Sequence, residues 1–164
     1  MGCPRRRRYE TFMPAVISLR DVVEALDLQS EEISSYLDPD SGEIITFNEE
    51  EAHLARDGNW EKAPEWMRDL LPKIKRALED QRILELPDRV HIDEWRMMQD
   101  FALEQQDCNC RKALSNAAHG ASAFRRFRQA IQKLGIEKQW YEYREKAMED
   151  VARRWLDENN LKYR

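Results

Sequence analysis

The chain has 164 residues and a net charge of −5, and 41% of its residues are hydrophobic and 36% charged. This length and composition suit one soluble domain with a core of its own, and they exclude a disordered chain or a miniprotein held together by disulfides. No apolar run approaches the roughly 20 residues of a membrane span. Three cysteines without framework spacing, and no signal peptide before them, predict a cytoplasmic protein.

Charge is distributed unevenly along the chain. Residues 9–107 hold 10 bases and 25 acids, whereas residues 108–136 hold six bases and no acid. Because affinity for nucleic acid comes mostly from neutralised phosphates, the acidic body argues against generic wrapping of nucleic acid. It leaves room for a local basic site in the carboxylate-free segment.

The N-terminus is predicted to be a disordered basic leader, residues 1–17. Met1-Gly2-Cys3, followed by four arginines, also suggests a lipidation site with a polybasic anchor, but Arg6 stands where the myristoylation pattern requires Ser or Thr. The leader is therefore the preferred interpretation. Residues 18–164 are predicted to form a single domain, and a division into two lobes, 18–87 with a hairpin and 88–164 helical, is left open.

Short strands are predicted in the first half. Two runs of apolar β-formers, Ser35–Leu37 and Glu43–Phe47, flank a turn that contains Pro and Gly, which predicts a hairpin. The acidic turn suggests a calcium loop, but Gly42 stands where that loop needs a ligand and Glu43 replaces its glycine, so a plain turn is preferred. Ile83–Leu86 predicts a third strand beside the hairpin.

Helices are predicted from apolar periodicity and capping residues. They run from Ser18 to about Asp27, Asn48 to Gly58, Pro64 onward with a kink or a meeting of two helices at Pro72, Asp93 to Gln106, Cys110 to Ala118, Ser122 to Gly135, and Glu137 to Glu158. Ser18, Asn48 and Ser122 are predicted side-chain caps, and the five tryptophans are predicted core or lobe-junction anchors. The predicted fold class is α+β and mostly helical, with a small β-hairpin or three-stranded antiparallel sheet in the N-terminal half and a helical C-terminal half.

The carboxylate-free segment contains the candidate binding residues. Phe124, Phe127, Ile131 and Leu134 fall on one face of a predicted helix, so that face is expected to pack on the core. The basic side chains of the segment point elsewhere and are expected to stay free. The predicted binding residues are Arg125, Arg126, Arg128, Lys112 and Lys133.

Three interpretations of the basic helix remain open. It is a surface for an anionic partner, with an acidic protein preferred and RNA as the second candidate, or a site for a small anion at the helix start beside Ser122. Alternatively, it is a solvated face whose arginines pair with acids of the same molecule. The oligomeric state is not predicted.

Metal and catalytic sites are not predicted. Cys108 and Cys110 with His119 resemble part of a zinc site, but a structural zinc requires four ligands, usually from two paired clusters. His91 and Glu94 occur once and in the reverse of the di-iron order. No hydrolytic or phosphate-cradling motif is present, so no catalytic residue, metal or cofactor is assigned.

Three blocks of the sequence resemble a family of small bacterial proteins known only as an uncharacterised protein family. The blocks are Leu19–Phe47, with Ser35-Tyr36-Leu37 before Gly42-Glu43; Leu86-Pro87 with Ile92-Asp93-Glu94-Trp95 and Met98–Phe101; and Gly120–Leu156, with Ala123-Phe124-Arg125-Arg126-Phe127-Arg128, Trp140, Arg144 and Trp155-Leu156. The resemblance implies a bacterial, cytoplasmic, mainly helical protein and carries over no catalytic residue. Cys108, Cys110 and the arginine leader are not part of the family pattern.

The function predicted from these observations is a non-enzymatic binding or regulatory module that engages an anionic partner through the basic helix. The competing prediction is a small cytoplasmic enzyme with a pocket between the two halves, lined by His91, Glu94 or His119. An enzyme is the less favoured of the two, because no catalytic motif supports it.

Overall fold

The computed structural model describes residues 15–58 and 60–164. Its α-helices are α1 Leu19–Leu28, α2 Glu49–Asp57, α3 Glu65–Arg68, α4 Leu70–Glu79, α5 Arg89–Ile92, α6 Glu94–Glu104, α7 Cys108–Ala117, α8 Ala123–Leu134 and α9 Glu137–Glu158. Its strands are β1 Ile33–Leu37, β2 Ile44–Asn48 and β3 Leu84–Glu85, and a 3-10 turn spans Trp60–Lys62. The predicted fold class is confirmed.

The three strands form one antiparallel sheet in the order β2-β1-β3. Tyr36 on the central strand lies opposite Ile45 on one side and Glu85 on the other. Ser35 and Thr46 face each other across the hairpin, and their hydroxyls are 2.8 Å apart. The third strand is therefore confirmed, two residues long rather than the four predicted.

Asp38 closes the hairpin turn with its own side chain. Its Oδ1 accepts a hydrogen bond from the amide of Asp40 at 3.0 Å, and its carbonyl accepts one from the amide of Gly42 at 2.8 Å. Gly42 has a φ of +77°, which a residue with a Cβ adopts only with strain. The buried Asp38 carboxylate also lies 3.1 Å from the guanidinium of Arg76, so the turn is joined to α4.

Capping residues begin two helices as predicted. Ser18 Oγ accepts from the amide of Asp21 at 3.3 Å, and Asn48 and Glu51 exchange two hydrogen bonds of 2.9 and 2.8 Å in a capping box. Two helices meet in this region, which is one of the two outcomes predicted at Pro72, but they meet three residues earlier. The break falls at Asp69, and Pro72 lies in the first turn of α4, where a missing amide removes no helical bond.

The sheet separates two groups of buried apolar side chains. Successive side chains of a strand point to opposite faces, so Leu37 faces one group while Tyr36 faces the other. The larger group is formed by α1 and α6–α9, and the smaller by α2, α3 and α4 with β2. The organisation of residues 18–164 as one domain, with or without two lobes, stays a prediction.

The two ends of the described chain are hydrogen-bonded to each other. Ile17 is fully buried and forms a parallel bridge with Tyr163, and Leu19 N donates to the carbonyl of Arg164 at 3.0 Å. Ile17 belongs to the predicted leader, residues 1–17, of which residues 1–14 lie outside the described ranges. Between residue 15 and the C-terminus, no described helix has the length and apolarity to cross a bilayer.

The prediction that the five tryptophans are core or lobe-junction anchors is only partly correct. Trp140 is buried, and Trp60 and Trp155 are partly buried, but Trp66 is 70% exposed and Trp95 44% exposed. Because α3 is a single turn, only one of its neighbouring apolar residues turns inward, and Met67 takes that place.

Candidate functional site

The carboxylate-free segment folds as α7, a turn and α8. The inward stripe of α8 is Ala123, Phe127 and Ile131, spaced four residues apart, and all three are buried. Phe127 packs edge-to-face on Trp140 of α9, with ring centroids 4.9 Å apart, and on Phe101 of α6 at 6.3 Å. This aromatic contact fixes α8 against two other helices.

The predicted apolar face of α8 is only partly correct. Phe127 and Ile131 are buried, but Phe124 is 46% exposed and Leu134 39% exposed. Phe124 lies at the margin of the stripe because Ala123 occupies the inward position one turn before Phe127. Only one of the two phenylalanines therefore anchors the helix.

The prediction that the Ser122 side chain caps α8 is also wrong. Ser122 has a φ of +61°, and no amide of the first turn donates to its hydroxyl. Its carbonyl still accepts the first helical hydrogen bond, from the amide of Arg126 at 3.1 Å. The small-anion interpretation, which rests on the amides at the helix start beside Arg125 and Arg126, stays a prediction.

The predicted binding residues are exposed. No acid within residues 15–58 or 60–164 forms a salt bridge with them, that is, Arg125, Arg126, Arg128, Lys112 and Lys133. Some bases elsewhere in the described chain are paired, such as Arg76 with Asp38 at 3.1 Å and Arg82 with Asp80 at 2.7 Å. The basic surface, defined here as these five side chains, is thus not neutralised by the described part of the molecule.

The basic surface extends around α8 rather than lying on one flat face. At about 100° per residue, Arg128 lies about 40° from Phe124, and Arg126 lies about 160° from it. Arg125 points away from the buried stripe, about 60° from Arg128. The Arg126 guanidinium is 3.7 Å from the position that a Cβ would take on Gly120, in the turn between α7 and α8. A partner would therefore meet Arg125 and Arg128 together, beside an exposed aromatic ring.

The residues considered for catalysis do not share one cleft. His91 lies beside Asp88, with 2.6 Å between ring nitrogen and carboxylate, in a cleft that Arg154 and Trp155 of α9 also line. Hydrogen bonds from the His91 amide and ring hold the pKa of Asp88 below its usual value. Glu94 lies in a different cleft, and His119 is exposed after the end of α7.

The two cysteines of α7 differ in environment. Cys108 is exposed, whereas Cys110 is half-buried, and burial together with the charge of Asp107 raises the pKa of its thiol. A raised pKa makes the thiol less reactive at neutral pH. In the described residues, no group of three or more His, Cys, Asp or Glu side chains is arranged to hold a metal ion.

Sequence reasoning missed an ionic contact that joins three helices. Arg144 of α9 lies 2.7 Å from Asp27 of α1, and its Nε donates to Glu94 of α6 at 2.8 Å. Burial would lower the pKa of Arg144, but the hydrogen bonds to Asp27 and Glu94 outweigh it and raise the pKa. The sequence contained a signal that the Arg144 side chain faces the core. Arg144 lies four residues after Trp140 and four before Met148, in line with the buried residues of α9.

Comparison with known proteins gives a family but no activity. A family model described as Uncharacterised protein family (UPF0158) matches residues 12–164. No curated protein sequence and no solved structure matches the chain.

Proposed function

Because this chain belongs to that uncharacterised family, we propose a function from its own surface: a non-enzymatic binding or regulatory module of the bacterial cytoplasm that engages an anionic partner through α8. The proposed contact residues are Arg125, Arg126 and Arg128, with Lys112 and Lys133 beside them. Each guanidinium can donate two parallel hydrogen bonds to a carboxylate or phosphate, which adds geometric selectivity to the charge attraction.

One observation carries this proposal. Five exposed bases of a chain with net charge −5 have no acidic partner within the described ranges. Acids outnumber bases in the whole chain, yet none of the described acids forms a salt bridge with these side chains. An unneutralised basic surface on a helix that Phe127 fixes to the core suits a partner that supplies the negative charge.

An acidic protein is the preferred partner, and RNA is the second candidate. Residues 9–107 carry 25 acids, and their field repels a long phosphate backbone more than a compact acidic patch. The enzyme alternative has less support, because His91 and Glu94 line different clefts.

The test is affinity capture from bacterial lysate by the wild type and by an Arg125→Glu/Arg126→Glu/Arg128→Glu variant, with and without ribonuclease. We expect the wild type to recover partners that the variant loses, and ribonuclease to leave them in place. Arg56→Glu/Lys146→Glu/Arg154→Glu is the matched control, since these bases are also exposed and the change in charge is the same.

The proposal is wrong if the α8 variant recovers the same partners as the wild type, or if the control variant loses them equally. In the second case, net charge rather than the basic surface governs capture. Partners released by ribonuclease identify RNA instead of an acidic protein.

A further inference from the structure

Exposed apolar side chains gather around one groove beside α8. Its main part, of about 920 Å³, lies between the end of α1, α5, the start of α6 and the start of α8, and an extension of about 170 Å³ continues between α8 and α9. The two parts share Glu94, Phe124 and Arg144, so they form one groove. The exposed apolar side chains that line it are Leu28, Val90, Trp95, Phe124 and Tyr141. A contiguous patch of this kind on a soluble protein marks an interaction site.

Two contacts preform the middle of the groove. The indole nitrogen of Trp95 donates to the carbonyl of Ala118 at 2.7 Å, which fixes the ring between α6 and the end of α7. Arg144 is ion-paired with Asp27 and Glu94, so it offers no free cation to a partner. A preformed site binds without first ordering its own side chains.

The two ends of the groove carry opposite charge. Arg128 lines the extension but not the main part, and it is exposed without a salt bridge to any acid of the described ranges. The shared middle contains Glu94 and Arg144, whose charges cancel. The charged residues that line only the main part have a net charge of −2, and they are Asp27, Glu31, Arg89 and Asp93. The groove therefore has an apolar centre, a positive end and a negative end.

A surface with opposite charges at its two ends is complementary to itself. Two copies can meet face to face about a two-fold axis that crosses the groove at right angles near Phe124. The Arg128 end of each copy then lies opposite the Glu31 end of the other, and each apolar centre covers the other. A two-fold axis along the groove would instead set like charges against each other. A partner of one charge throughout would be repelled at one end.

The apolar centre supplies the affinity of such an interface. Val90 is 82% exposed, and Phe124 and Trp95 are about half-exposed, so each copy has apolar surface that a second copy can remove from water. In a two-fold interface every residue contributes twice, because the same patch is used on both copies. Glu31 is exposed and forms no salt bridge with a described base, so its carboxylate is available to Arg128 of a second copy.

We propose that this groove is the interface of a two-fold symmetric homodimer. Phe124 and Val90 of each copy pack on the apolar lining of the other, and Arg128 of each copy pairs with Glu31 of the other. This inference goes beyond the proposed function. Arg128 takes part in the dimer, whereas Arg125 and Arg126 remain for an anionic partner.

Sedimentation velocity of the purified full-length chain, measured over a series of concentrations, tests the dimer. We expect a reversible equilibrium between monomer and dimer. Phe124→Ser, Arg128→Glu and Glu31→Arg should each raise the dissociation constant by about tenfold or more, because each change acts at two symmetry-related places.

A mixture of the two charge variants tests the pairing of Arg128 with Glu31. Chains with Arg128→Glu repel one another, and so do chains with Glu31→Arg. A heterodimer of the two has both contacts restored with reversed sign, and it should form with a dissociation constant within about threefold of the wild-type value. Mixing cannot rescue a variant that has merely failed to fold.

Trp66→Ser and Arg154→Glu are the matched controls, because they remove an exposed aromatic ring and an exposed arginine outside the groove. Both should dimerise as the wild type does. The proposal is overturned by a wild-type chain that stays monomeric up to about 1 mM, or by a dimer that Phe124→Ser leaves unchanged. Charge variants that fail to recover on mixing overturn the two-fold arrangement. No lysate partner is involved, so these outcomes are independent of the capture experiment.

Discussion

Asp80 illustrates how one side chain can organise two segments. It follows α4 and accepts hydrogen bonds from the Arg82 side chain at 2.7 Å and from the Arg82 amide at 3.1 Å. Arg82 also reaches Asp40 in the hairpin turn, at 3.3 Å. These side chains therefore connect the end of α4 to the turn between β1 and β2.

The hydrogen bond from the Arg82 side chain, helped by the Arg82 amide, lowers the pKa of Asp80 from 3.8 to about 2. A pKa that is lower in the folded state stabilises the fold above the unfolded value, and this contribution is lost as pH falls toward 2. Carbon-detected NMR titration should place the wild-type midpoint near 2 and move it toward 3.8 in Arg82→Gln. An unchanged midpoint in the variant would show that Arg82 is not the cause.

Capping residues were predictable where the interaction is local. Ser18 and Asn48 bond amides three residues away, so the sequence alone contains both partners. Ser122 has the same residue type, but a φ of +61° removes its side chain from the cap. That backbone angle is set by the turn between α7 and α8, which no local pattern specified.

At the scale of a helix, α8 shows what periodicity predicts and what it leaves undecided. The apolar spacing gave the helix and placed Phe127 and Ile131 inward, as observed. It also placed Phe124 inward, because Phe124 and Phe127 lie 60° apart and a sequence does not define which edge of the stripe meets α6 and α9. The position of Trp140 and Phe101 decided this.

Phe127→Ala should destabilise the protein by about 3–4 kcal/mol, because it empties a buried ring position between two aromatic neighbours. Phe124→Ala is the matched control in the same helix, and its half-exposed ring predicts a loss below about 1 kcal/mol. Urea unfolding measured by circular dichroism distinguishes them. Equal losses would contradict the inward orientation of Phe127 alone.

At the scale of the whole molecule, long-range charge contacts were the part that sequence did not reveal. Arg144 lies 50 positions from Glu94, and nothing near either residue indicates the other. The fold class was predictable because helices and the hairpin depend on local period and turn residues. The cleft that Leu28, Val90 and Phe124 line was not predictable, because these residues meet only after α1, α5 and α8 have packed.

Arg144→Met should destabilise the protein by about 2 kcal/mol, since it leaves the partly buried Glu94 carboxylate beside Asp27 without its cation. The control is Arg153→Met, which removes an exposed pair 3.3 Å from Glu149 on the same helix and should change stability by less than about 1 kcal/mol. Denaturant unfolding provides both values. Similar effects would mean that Arg144 acts as an ordinary surface cation.

The pairing of Ile17 with Tyr163 has a mechanical consequence. The two segments run parallel, with hydrogen bonds between Ile17 and Lys162 at 2.8 Å and between Arg164 and Ile17 at 3.0 Å. Tension applied to opposite ends of the polypeptide loads these bonds together in shear instead of opening them one after another. The helices α1 and α9 bear such a force only after the hydrogen bonds between Ile17 and residues 162–164 have broken.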